Sequence, residues 1–234
     1  MALPPTTEIN ETFLREVDEN LRRDRVHDFF RDNRGLLIAA LILFLATAGG
    51  IIWWQQHQID KSGEEVEQLA KVYRDIGDSK LDKVPAEIGP LASSSSKSVR
   101  ASALFTRAAL ALEQNDSALA STTYGAIAND SSMPQPYRDA ALLRQTTLDF
   151  DKLKPEEVIS RLAPLAKPDS AWFGSAGEMT AMALIKQGKT LEAGKSFAAI
   201  AANKDVPVSM RARAVQVAGT LGVDASAALP PSAQ

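Results

Sequence analysis

Residues 120–127 read ASTTYGAI, residues 158–165 read VISRLAPL and residues 193–200 read AGKSFAAI. In each, a small or short aliphatic residue (Ala120, Val158, Ala193) is followed four positions on by a large one (Tyr124, Leu162, Phe197). Three positions further comes an aliphatic one (Ile127, Leu165, Ile200). Steps of four and three keep all three side chains on one face of a helix. The starts are 38 and 35 residues apart, and self-similarity at such a period is read before anything else. Polar turns at Gln114-Asn115-Asp116, Asp151-Lys152 and Gln187-Gly188-Lys189 punctuate the middles of the units. Pro134, Pro168 and Pro207 follow them, where the second helix of each pair is expected to stop. The small residue lets the helices of a pair approach, and the large one packs between neighbouring pairs.

A period near 36 with a helix–turn–helix in each unit is the pattern of tetratricopeptide-like repeats. First helices match it less well: Leu104 and Ala108 fit, while the usual Trp and Tyr are missing. Helices are predicted over 60–76, 80–91, 98–114, 117–129, 136–150, 155–166, 171–187, 190–203 and 208–221, giving four pairs and a closing helix. Pro85 and Pro90 make the second of these the weakest, and Ser93 to Ser96 read as a loop. Residues 223–234 are expected to be a disordered tail. Such a stack leaves a groove lined by its first helices, suited to extended or helical peptides. Arg100, Arg107, Arg138 and Arg144 fall on the first helices of two successive pairs, which makes them candidates for lining that groove. Solvated faces with packed stems are the competing reading of the same four residues.

Upstream, residues 36–54 (LLIAALILFLATAGGIIWW) run without a charge from Leu36 to Trp54. As a helix this run spans roughly 28 Å, close to the ~30 Å hydrocarbon core of a bilayer. Its ten Leu, Ile and Phe residues favour insertion by about 3–6 kcal/mol. Trp53 and Trp54 close the run, where amphipathic rings prefer the headgroup level. Arg22, Arg23, Arg25, Arg31 and Arg34 precede the run closely, and only Lys61 follows it within fifteen residues. The positive-inside rule then puts the N-terminus in the cytoplasm and the repeats across the membrane. Ala46-Thr47-Ala48 offers a signal-peptide cleavage site, but the apolar run continues past it and a long acidic segment precedes it. An uncleaved signal anchor is the reading retained. The expected fold class is therefore all-α: a single N-terminal transmembrane helix, then a tetratricopeptide-like α-solenoid of helix pairs. The domains are an arm over 1–35, the span over 36–54, a membrane-proximal pair and loop over 55–97, repeats over 98–222, and the tail.

Before the span, Ile9, Phe13, Val17 and Leu21 form an apolar stripe at helical spacing. It suits either the lipid surface or the cytoplasmic face of a partner.

Composition closes off most chemistry. With no cysteine there is no thiolate metal site, disulfide or thiol nucleophile, and two histidines leave little for imidazole. A formal net charge of −3 gives no general footprint for nucleic acid. Gly188-Lys189-Thr190 ends like a phosphate loop, but the earlier glycine position is Ala183, inside a predicted helix. Gly174-Ser175-Ala176-Gly177 lacks nucleophile-elbow spacing, and His57 has no metal-binding partner. Glu156-Glu157 after Pro155 sits in a first helical turn, where the helix dipole favours acids. No enzyme, cofactor or metal is expected.

The run FLREVDENLRRDR (residues 13–25), the single span and the helix pairs together resemble the ancillary SecYEG translocon subunit family of membrane-anchored bacterial proteins. Tyr137-Arg138-Asp139-Ala140 after Pro134-Gln135-Pro136 adds to the likeness, as does Ser209-Met210-Arg211-Ala212-Arg213-Ala214. The resemblance runs from about Phe13 to Gly222. It implies a single-pass inner-membrane protein with periplasmic repeats, whose partners are the Sec translocon, periplasmic chaperones or exported chains. The repeats also resemble those of a periplasmic cell-division coordinator. An adaptor or chaperone-like module at the translocon is thus the leading expectation, with a scaffold for an envelope assembly as the alternative.

Overall fold

The computed structural model describes residues 34–228, and the arm and the last residues of the tail lie outside them. The described chain is helical: α1 (Arg34–Gly77), α2 (Val84–Leu91), α3 (Lys97–Glu113), α4 (Ser117–Asn129), α5 (Gln135–Asp149), α6 (Pro155–Leu162), α7 (Phe173–Lys186), α8 (Thr190–Ala202) and α9 (Val208–Thr220). A short 3-10 turn, Ser226–Ala228, follows. Two compact units divide the chain, residues 1–61 and Ser62–Gln234.

In the first unit the described part of α1 carries Leu36, Phe44, Ile52, Trp53 and Trp54 among its side chains, all well exposed. The apolar run and the helix predicted from residue 60 are one element, because neither Pro nor a paired Gly interrupts Gln55 to Gly77. Gly63 alone is tolerated inside a helix at a cost of about 1 kcal/mol.

The second unit is a serial stack in which each helix packs chiefly on its chain neighbours. Its core falls into four clusters, each combining one pair with the first helix of the next. Leu69 and Val72 of α1 meet Val84, Ile88 and Leu91 of α2 and Val99 and Ala103 of α3. Ala108, Tyr124, Ile127 and Ala141 join α3, α4 and α5. Leu143, Val158, Leu162, Leu165 and Ala176 join α5 to α7, and Phe173, Phe197, Ile200 and Ala214 join α7 to α9. All nine residues of the repeated motif are buried, none more than 4% exposed.

Four of the five first helices end alike, and α5 instead closes on Phe150 with ordinary helical φ. Ser79, Asn115, Gly188 and Gly222 follow α1, α3, α7 and α9 with φ of 61°, 59°, 76° and 82°. After each, an amide reaches back to an otherwise orphaned carbonyl: Lys80 to Asp75, Asp116 to Ala111, Lys189 to Leu184, Val223 to Ala218. The chain is thereby reversed within a few residues. Gly188 of the apparent phosphate-loop fragment is one of these turns, and Thr190 simply opens α8.

Several boundaries differ from expectation for identifiable reasons. Helix α2 starts at Val84 rather than 80, since the missing N–H of Pro85 is harmless only in a first turn. Helix α6 stops at Leu162 rather than 166, because Pro164 cannot continue the hydrogen-bond ladder. Pro134 and Pro207 do not stop the second helices; they are the N-caps of α5 and α9. Val223, Ala225 and Ala228, counted in the expected tail, pack against the last cluster. The Arg211 guanidinium donates to the Ala201 and Ala228 carbonyls, which ties the strap down. Gly194 makes room for it: a Cβ there would lie 2.7 Å from Val223 Cγ2.

Candidate interaction surface

First helices touch one another along one face of the stack. Thr106 Oγ1 of α3 lies 3.5 Å from Tyr73 Oη of α1, and Thr147 Oγ1 of α5 lies 3.3 Å from Met179 Sδ of α7. Arg213 of α9 donates twice to Glu178 of α7, Nε at 2.9 Å and Nη2 at 2.6 Å. Met182, half exposed, shares the helix face of Glu178 and Met179 at spacings of four and three. Along this face polarizable methionine, which adapts readily to its neighbours, alternates with threonine, tyrosine and paired charges.

The four candidate arginines go to different places. Arg100 Nη2 donates to Asp130 Oδ2 at 2.9 Å and Ser132 Oγ at 2.7 Å, so it braces the turn after α4. Ser132 returns its amide to Asp130, and Ser132, with Arg100 and Lys97 behind it, holds that carboxyl below the ordinary aspartate value. Arg138 turns back onto Gln135 of its own helix. Arg107 lines a cleft formed with α2 and α4, away from the first-helix contacts. Only Arg144 reaches from one first helix to another, its guanidinium 5.7 Å from the centre of the Phe105 ring.

Sequence reasoning passed over Tyr73, Met179, Met182 and the Glu178–Arg213 pair. A signal for them was present. The bonds Tyr73–Thr106, Thr147–Met179 and Glu178–Arg213 join residues 32 to 35 positions apart, one repeat length. Among the described residues no group of three or more His, Cys, Asp or Glu side chains is placed to hold a metal.

The sequence profile of the tetratricopeptide repeat-like domain matches residues 27–217. The chain belongs to this family. The match begins ahead of the apolar run, so it covers α1 together with the helix pairs. No curated protein and no solved structure matches the chain. Repeat stacks of this family are protein-interaction modules. Helix α1 is long and apolar enough for a single membrane span.

Proposed function

We propose that this chain is a non-enzymatic, membrane-anchored interaction module that serves the Sec translocon. It holds exported polypeptides or a periplasmic chaperone at the translocon exit. The observation that carries this reading is the pairing of an uncovered apolar helix with a stack whose first helices leave one face open. Anchoring confines that face to the membrane surface, which raises its effective concentration near a translocon without requiring tight binding. The basic residues before Leu36 favour a cytoplasmic N-terminus and periplasmic repeats. The likeness of residues 13–25 and the apolar run to ancillary SecYEG subunits supports the translocon as partner.

Affinity purification of the full-length, C-terminally tagged chain in mild detergent, with crosslinking, tests the proposal. Enrichment of translocon subunits over other abundant membrane proteins is expected. Recovery of division or cell-wall proteins without translocon would replace it with the envelope-scaffold reading.

A further inference from the structure

A cleft of about 400 Å³ opens between α2 and α4, the second helices of two successive pairs, with α3 as its floor. Pro85, Ile88, Leu110 and Leu119 supply apolar wall, and Arg107 and Gln114 supply the polar edge. Arg107 is exposed and, among the described residues, has no hydrogen-bond or ion-pair partner. Two of the acids that flank the walls in sequence are already engaged, and Glu113, next to Gln114, is exposed and does not line the cleft. Glu87 pairs with Lys71, and Asp116 accepts the Leu119 amide at 2.9 Å to cap α4. An unpaired guanidinium beside a small apolar cleft is a half-site for a carboxylate attached to an apolar group.

The geometry points to this cleft as a site for the C-terminal residue of an extended peptide: its free carboxylate sits on Arg107 and its apolar side chain among Ile88, Leu110 and Leu119. The cleft is at the small end of ligand-pocket volumes, which suits one residue better than a folded segment. In a terminal residue the carboxylate and side chain leave the same Cα, so both fit one compact cleft. An internal Asp or Glu spends its side chain on the charge and leaves the apolar wall to a different residue. The Gln114 amide, two helical turns along α3, offers a further donor on the same cleft. This site is separate from the first-helix face, so the chain can hold a peptide terminus and a second partner together.

The test uses the full chain in lipid nanodiscs and a fluorescent glycine–serine peptide ending in leucine, as free acid and as C-terminal amide. The free acid binds, and the amide binds about tenfold more weakly or worse, as expected for a charge-assisted hydrogen-bond pair. Arg107→Gln brings the free acid down to the level of the amide. Leu119→Glu places a carboxylate in the cleft at the third helical position of α4, where the dipole favours it, and abolishes binding of both. Equal affinity for acid and amide overturns the proposal. So does undiminished binding by Arg107→Gln with an unchanged circular dichroism spectrum. Octanoate that displaces the peptide at concentrations below the peptide's own Kd would overturn it in favour of a lipid carboxylate. This titration needs no translocon component, so its failure and that of the pull-down are distinguishable.

Discussion

Arg100 and Arg144 lie on equivalent helices of the same stack, and their contacts give them opposite roles. Arg100 is committed to Asp130 and Ser132, so its substitution loosens the turn between α4 and α5. The Asp130 carboxyl is held below its ordinary value, chiefly by Ser132, and that fixes the sign of a pH effect. A group with a depressed folded pKa stabilises fully above its unfolded value, and that contribution is lost as pH falls through the folded value. Melting curves are therefore expected to drop below about pH 4, less steeply in Asp130→Asn than in the natural chain. An identical drop in both would show that the turn does not titrate. Sequence spacing put all four arginines on first helices, which is correct. It could not show that Arg100 would meet Asp130, because that meeting depends on how the turn after Asn129 folds back. Arg107 was legible as exposed and basic, but its cleft takes walls from α2 and α4, which only packing brings beside it.

Helices were more legible than their ends. The buried motif positions Ala120, Val158 and Ala193 and their partners were readable because burial imposes a 3.6-residue period on sequence. Their boundaries depended on where proline's missing donor could be tolerated, and Pro85, Pro134 and Pro207 each sit at a helix start. Helix α1 joins the apolar run over 36–54 and the helix expected over 60–76 into one element. Composition changes the solvent a helix prefers, but not its hydrogen bonding. The proposed span yields a quantitative expectation. Leu43 is exposed in the middle of the apolar run, and Leu43→Arg costs about 3 kcal/mol of insertion against a total of roughly 3–6. A substantial fraction of this variant should move from the membrane pellet to the soluble fraction on ultracentrifugation of cell extracts. An unchanged pellet fraction would contradict a span centred on these residues.

Across the second unit, stability is assembled from successive clusters, each shared by three consecutive helices. Nearest-neighbour stacks of this kind need a finished end, and here the strap from Val223 to Ala228 supplies it. Such an arrangement leaves the first-helix face free of any duty in closing the core, so Tyr73, Arg144 and Met182 are available to a partner. The most direct test of that claim is site-specific photo-crosslinking in intact cells. A photoreactive residue is placed at Met182 on the first-helix face, and another at exposed Lys195 on the second helix of the same pair. The account predicts a discrete crosslinked partner from position 182 and none from 195. Equal crosslinking from both positions, or none from 182 in a correctly inserted chain, would contradict it.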